Sequence, residues 1–165
     1  MKLYLSLITT LLFIIFSTTA CGGGEADQNE QPEVQQNTAE SDELSQFELD
    51  NGIGPITEEI EISDEIDREK AKRGFETYDM KCAACHRMET RLVGPPLADI
   101  TERRSPEFIM NFILNPVENT RKHPVGQELL QEYMMQMTFQ DVSEEEAREI
   151  LEYFRHVNET GQEVL

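Results

Sequence analysis

The segment that decides the fold reads Cys82-Ala83-Ala84-Cys85-His86. Two cysteines three positions apart lie about one helical turn from each other, so both thiols can point in one direction. Such a pair serves in proteins as a redox disulfide, as half of a zinc site or as the attachment point of a haem. The residues around the pair separate these three uses.

The surroundings of the motif favour a covalently attached haem. A zinc ion would need two more ligands, and the remaining histidines and carboxylates stand at unrelated spacings. A redox disulfide would be expected after a strand, whereas residues 68–79 show a helical pattern in which Phe75 and Tyr78 share a side. The sequence therefore predicts thioether bonds from the two cysteines to the haem vinyl groups and an iron bound by His86.

The N-terminus has the order of a secretory signal peptide. Lys2 precedes a mostly apolar stretch over residues 3–16, and small residues over 17–20 lead to Cys21. The apolar part is shorter than the ~20 residues that a permanent membrane span needs. We therefore expect residues 1–20 to be a signal peptide and the protein to be exported.

The position of Cys21 resembles that of the lipidated cysteine in bacterial lipoproteins, although Thr18 stands where that family usually has leucine. The resemblance implies a lipid anchor on Cys21, which becomes the mature N-terminus on the periplasmic side of a bacterial membrane. Secretion with an unmodified Cys21 is the alternative.

Charge is concentrated in the segment that follows. No Lys or Arg occurs between Lys2 and Arg68, and the whole chain has a formal net charge of −19. Such acidity argues against a nucleic-acid partner, whose phosphates would be repelled. Residues 21–66 are polar and poor in aromatic residues, so we expect a flexible acidic linker. Its later part can lie against the domain through Phe47, Ile53, Ile56, Ile60 and Ile62.

The iron face opposite His86 determines the function. An open position implies gas binding or catalysis, whereas a filled one implies electron transfer. His123 and His156 are isolated in the sequence and are typical of surface histidines. Methionines can simply fill a core, but here a cluster lies in a short segment between two predicted helices. The better candidate ligands are therefore Met134, Met135 and Met137.

These residues resemble the class I cytochrome c family, in particular its small bacterial members. Gly74 and Tyr78 precede Cys82 at the distances of the family's glycine and aromatic residue, and Val93-Gly94-Pro95 follows His86 as in the family. The resemblance implies that the Pro95 carbonyl oxygen orients the ring of His86. Such a bond fixes the tautomer of a ligating histidine.

The segment from Met137 to Ser143 resembles the family's methionine loop, which leads into its last helix. The resemblance implies that Met137 is the second axial ligand. Thr138 stands where the family commonly has proline, which leaves Met134 and Met135 as alternatives.

Two further helices have clear boundaries. Ser105 and Pro106 begin one, and Asn115-Pro116 ends it. Ser143 and Glu146 form a capping box for the last helix. For the first helix, Ser63 or Asp64 is the expected N-cap. Family likeness implies that Gly74 lets the first and last helices approach each other, at Tyr153 or Phe154.

The resemblance covers residues 67–157 and implies an all-α, class I cytochrome c domain over 67–160, with four to five helices around one covalent haem c and its iron. It implies a one-electron carrier in a membrane-associated respiratory chain, with donor and acceptor proteins as partners and no catalytic residues. A haem subunit of a larger oxidoreductase complex is the alternative. A five-coordinate haem enzyme or sensor follows if no methionine binds the iron.

Overall fold

The computed structural model describes residues 43–163, which form seven helices and no strand. The prediction of an all-α fold is confirmed, with more helices than the four to five expected. The signal peptide, Cys21 and residues 21–42 lie outside the described residues. The helices are α1 (Gln46–Asn51), α2 (Arg68–Lys81), α3 (Ile100–Arg103), α4 (Pro106–Leu114), α5 (Pro116–Lys122), α6 (Pro124–Tyr133) and α7 (Glu144–Thr160). Within residues 43–163, none of these helices has the length and apolar character to cross a membrane.

The core lies where α2 packs against α7, the most extensive helix contact in this part of the chain. Gly74 of α2 lies against the backbone of α7 at Glu149, where an added Cβ would collide with the Glu149 carbonyl oxygen. The close approach is therefore one turn earlier on α7 than the expected Tyr153. Tyr153 is fully buried instead, and its ring centroid is 5.4 Å from those of Phe75 and Tyr78.

The expected caps of the later helices are confirmed. The Ser105 hydroxyl accepts a hydrogen bond from the Phe108 amide, and Pro106 occupies the first turn of α4. Ser143 and Glu146 form a complete capping box at the start of α7. These caps satisfy amide groups that a helix leaves without partners at its N-terminus.

The expected cap of α2 is wrong. The Asp67 side chain accepts from the amides of the second and third helical residues. The carbonyl oxygens of Ser63 and Asp64 instead accept from the guanidinium of Arg155 on α7. Those two residues therefore belong to the segment that packs across α7, and the helix begins only after it.

Residues 43–67, here called the N-terminal strap, differ from the flexible linker that the composition predicts for residues 21–66. The strap begins with α1, which has a capping box formed by Ser45 and Glu48. After α1 it continues without regular structure, and Ile56 is buried in the core. Ile60 and Ile62 pack against the same core, as expected for the later part of this segment, and polar contacts with the helices hold its backbone.

Two buried amide side chains supply those contacts. Asn111 Oδ1 accepts from the Ile56 amide at 3.0 Å, and its Nδ2 lies 2.9 Å from the Ile56 carbonyl oxygen. Asn119 makes the same pair of contacts with Ile53, at 2.8 and 2.7 Å. Both side chains are fully buried. An amide side chain in this arrangement replaces the partner that a neighbouring strand would offer to the backbone.

Carboxylates fix the later part of the strap. Glu107 of α4 accepts from the Ile60 amide at 2.8 Å, and Glu152 of α7 accepts from the Asp67 amide at 2.6 Å. Residues 43–66 therefore belong to the folded domain, because side chains of α4 and α5 accept from their amides and Arg155 of α7 donates to their carbonyl oxygens.

Candidate functional site

The Cys82–His86 motif forms a tight turn directly after α2. The amides of Cys85 and His86 both donate to the Cys82 carbonyl oxygen at 3.0 Å. Neither thiol is in a disulfide; Cys82 packs partly against the core and Cys85 is exposed. Burial raises the pKa of Cys82 to about 11, which keeps that thiol protonated at neutral pH.

The ring of His86 is held by the loop that follows it. Nδ1 lies 3.1 Å from the Pro95 carbonyl oxygen. A carbonyl oxygen only accepts hydrogen bonds, so Nδ1 must carry the proton and Nε2 is left with a free lone pair. Burial lowers the pKa of His86, and the bond to Pro95 opposes this shift only in part. The ring is therefore neutral at pH 7 and presents one nitrogen suited to bind a metal.

Gly94 leaves space for this ring. A Cβ at position 94 would lie 2.5 Å from His86 Cε1, closer than side-chain atoms approach. The amide of Gly94 and that of Val93 donate to the Cys85 carbonyl oxygen, which closes the loop over the motif. The family spacing between His86 and Pro95 thus corresponds to a loop that folds back onto the histidine.

Tyr78 contributes a contact that the sequence did not indicate. Its hydroxyl donates to the His86 carbonyl oxygen at 3.0 Å. Burial raises the pKa of Tyr78 to about 12, so the hydroxyl remains a neutral donor. From the sequence, Tyr78 is only an aromatic residue on one side of α2; the structure adds that it fixes the backbone of the candidate ligand.

Residues 134–142, here called the methionine loop, connect α6 and α7. The loop is bracketed by two residues in the left-handed region, Met134 with φ 53° and Asp141 with φ 52°. Met134 is 81% exposed and Met135 57%, whereas Met137 is partly buried. Of the three candidate ligands, Met137 is thus the one that the loop turns furthest from solvent.

The end of the methionine loop is attached to the residue before the motif. Lys81 Nζ donates to the Asp141 carbonyl oxygen at 2.7 Å and lies 3.1 Å from Glu146 Oε1. Lys81 immediately precedes Cys82. The loop's C-terminal end is therefore fixed to the segment that carries both cysteines.

The two remaining histidines are buried, contrary to the expectation of surface positions. His123 is 1% exposed; its Nδ1 accepts from the Val125 amide, and its Nε2 lies 3.2 Å from the Leu49 carbonyl oxygen. The His156 ring is buried on α7, 3.5 Å from the Thr160 hydroxyl. Their isolation in the sequence predicts solvent-exposed positions, but His123 caps α6 and contacts the strap at the Leu49 carbonyl oxygen.

The donor set around the motif fits a covalently held haem. Two unpaired thiols stand one turn apart, and a neutral imidazole with a defined tautomer follows them. Gly94 keeps the space beside the imidazole ring free of side-chain atoms. Within residues 43–163, no group of three or more His, Cys, Asp or Glu side chains is arranged to hold a bare metal ion.

A sequence model of cytochrome c matches residues 71–158, more than half of the chain. The chain belongs to the cytochrome c family. This cytochrome is 43% identical to a cytochrome c from Rhodothermus marinus, over 70% of this chain and 98% of that one, with a TM-score of 0.66. An engineered form of that protein, Rma TDE, is 42% identical over 69% and 98%, with a TM-score of 0.65. Among curated proteins, none matches the chain.

These similarities confirm the predicted family, the class I fold and the cofactor. Members of the family bind one covalent haem c with its iron, and their native role is to carry electrons. This cytochrome is therefore a haem electron carrier. The individual roles of Cys82, Cys85, His86, Pro95 and Met137 stay predictions.

Proposed function

We propose that this cytochrome carries single electrons in a membrane-associated respiratory chain, with His86 and Met137 as axial ligands and a lipid on Cys21 as its anchor at the periplasmic side of the membrane. When bound, the haem supplies the redox chemistry by cycling its iron between the ferric and ferrous states. The observation that carries the proposal is the orientation of a neutral His86 ring by the Pro95 carbonyl oxygen. Met137 is the proposed second ligand because it is less exposed than Met134 and Met135.

The chain's own residues contribute orientation and a low-polarity environment. Pro95 holds the His86 proton on Nδ1, so only Nε2 is available as a ligand. A thioether on the other side is a soft ligand that favours reduced iron and raises the potential. If His86 and Met137 both held the iron, no coordination site would be left for a substrate, which would suit an electron carrier better than an enzyme.

The axial methionine is tested by three alanine variants of the holoprotein. Met137→Ala should remove the weak far-red absorption band of a sulfur-to-iron bond and produce high-spin iron. Met134→Ala and Met135→Ala serve as matched controls from the same loop and should retain the band. Loss of the band in Met134→Ala instead would make our choice of ligand wrong. A parent protein that lacks the band would support the five-coordinate enzyme or sensor.

The anchor is tested by Cys21→Ser in cells that process lipoproteins. We expect the parent to sediment with the membrane fraction and the variant to be released with the soluble exported proteins. Membrane association that is equal in parent and variant would contradict lipidation at Cys21. Copurification with another protein at stoichiometric yield would favour a subunit of an oxidoreductase complex over a free carrier.

A further inference from the structure

Arg91 links the loop behind His86 to the end of α6. Its Nη2 donates to the Glu132 carbonyl oxygen at 2.9 Å, and its Nη1 lies 3.3 Å from Glu132 Oε1. The guanidinium carbon lies 4.0 Å from the centroid of the Tyr133 ring. Three contacts from one side chain therefore converge on the last two residues of the helix.

These contacts are made where the methionine loop begins. Glu132 and Tyr133 end α6, and Met134 leaves it in a left-handed conformation. The last carbonyl groups of a helix have no partner within the helix. Arg91, 41 positions away in sequence, supplies one for Glu132. The direction in which the chain leaves α6 thus depends on a residue of the haem-binding segment.

We propose that Arg91 is a positioning residue that fixes the start of the methionine loop relative to His86. It lies five residues after His86, while Lys81 holds the other end of the loop from beside Cys82. Both ends of the methionine loop are thereby attached to the segment that carries His86. The proposal rests on the proposed function, because the purpose of such an attachment is to hold Met137 at the iron.

The chemistry of the contact requires arginine. A planar guanidinium can donate to a carbonyl and a carboxylate while it stacks on an aromatic ring, whereas a lysine ammonium is a single point charge. Arg91 and Glu132 are 53% and 58% exposed, so the pair contributes little to global stability. Its effect is therefore expected on the position of the loop rather than on folding.

The test compares Arg91→Gln and Arg91→Lys with a control variant of the holoprotein, Arg148→Gln. Arg148 is also an exposed arginine with two contacts to one carboxylate, that of Glu144, but it lies on α7, and neither Arg148 nor Glu144 makes a hydrogen bond or ion pair with residues 134–142. The measurement is a titration of the ferric protein towards high pH. Its midpoint is the pH at which the far-red sulfur band is lost because another ligand replaces the methionine.

For Arg91→Gln we expect this midpoint to fall by about one pH unit, which is a tenfold change in the ligand-exchange equilibrium. The midpoint of Arg91→Lys should lie between those of the parent and Arg91→Gln, and the midpoint of Arg148→Gln should equal that of the parent. Amide hydrogen exchange of residues 134–137 should accelerate in Arg91→Gln, without a matching change in α2 or α7.

Three results would overturn the inference. An unchanged midpoint in Arg91→Gln, with the band still abolished by Met137→Ala, contradicts the role of Arg91 and leaves the proposed function intact. Equal shifts of the midpoint in Arg91→Gln and Arg148→Gln would mean that the loss of a positive charge, and not the loss of the contact with α6, causes the shift. If the parent has no sulfur band, the proposed function fails, and unchanged exchange in the loop would then also exclude a positioning role for Arg91.

Discussion

The N-terminal strap and the methionine loop are both irregular segments, but they are held in opposite ways. The strap is fixed along its length by side chains from α4, α5 and α7, among them the fully buried Asn111 and Asn119. The methionine loop is held at its two ends by Arg91 and Lys81, both in contact with solvent. The strap is therefore part of the fold, whereas the loop can change position without unfolding the domain.

This difference follows from where the polar contacts lie. A hydrogen bond to a buried group is costly to break, because the partner left behind has no water to replace it. An exposed ion pair is worth only about 0–1 kcal/mol, since water and salt compete for both charges. Changes in the strap should therefore appear in stability, and changes at the loop ends in ligation of the iron.

The largest effect is expected from Asn111→Ala. The substitution removes the partner of both polar groups of Ile56 and two further contacts, with the carbonyl oxygens of Asn51 and Gly52. We expect the free energy of unfolding to fall by about 3 kcal/mol, as for other losses of a buried hydrogen-bond network. Urea titration of the holoprotein measures it. The sulfur band should remain.

Asn158→Ala is the matched control, because Asn158 is exposed and bonds only to the Glu102 side chain. Its effect should stay within about 0.5 kcal/mol. Similar losses in both variants would mean that the strap contributes no more than a surface contact, and the contrast between the two segments would not hold.

A smaller effect is expected from Gly54→Ala, which tests the same contact from the strap side. An added Cβ at Gly54 would collide with Asn111 Oδ1. Since hydrogen bonds hold the Asn111 amide in place, we expect a loss of about 1–2 kcal/mol, typical of overpacking. In an Asn111→Ala background the collision with the amide group is absent and only the 3.1 Å approach to the Cβ of residue 111 remains, so the two losses should be clearly less than additive. Additive losses in the double-mutant cycle would show that Gly54 acts through its backbone alone.

The sequence predicts the parts of the fold whose signals are local. Ser105, Pro106, Ser143 and Glu146 cap their helices as expected because capping depends on residues within one turn. For the strap, the acidic composition and the scarcity of aromatic residues predict a flexible linker. Its order comes from amides more than fifty positions away in sequence, which leave no local pattern.

The same distinction applies to the site. The haem at the Cys82–His86 motif is predicted from local signals, namely the cysteine spacing and the helical pattern before it, and the spacing from His86 to Pro95 matches the family's loop. Arg91 gives no such signal, because one arginine in a polar loop looks like any surface residue before α6 is placed beside it. The burial of His123 has no sequence signal for the same reason: a lone histidine has no periodicity, yet its ring is buried between α6 and the strap.

The smallest effect is expected from pH, where a glutamate at each segment provides the comparison. Hydrogen bonds from Ser45 lower the pKa of Glu48 in the strap. The Ser143 amide and then Lys81 lower the pKa of Glu146 beside the methionine loop. A carboxylate with a lowered folded pKa stabilises the protein above its unfolded pKa, near 4.5, and this contribution disappears as the pH falls through the folded value.

Glu48→Gln and Glu146→Gln should therefore both reduce the loss of stability between pH 7 and pH 3, each by less than about 1 kcal/mol because both groups are solvated. Only Glu146→Gln should also change the pH at which the sulfur band is lost on acidification. The reason is that Lys81 bridges Glu146 and the Asp141 carbonyl oxygen at the end of the methionine loop. Urea titrations and spectra over the same pH range measure the two effects separately. If Glu48→Gln changed the pH at which the band is lost, the strap and the methionine loop would be coupled. The loop would then not change position independently of the strap, contrary to what its exposed attachments indicate.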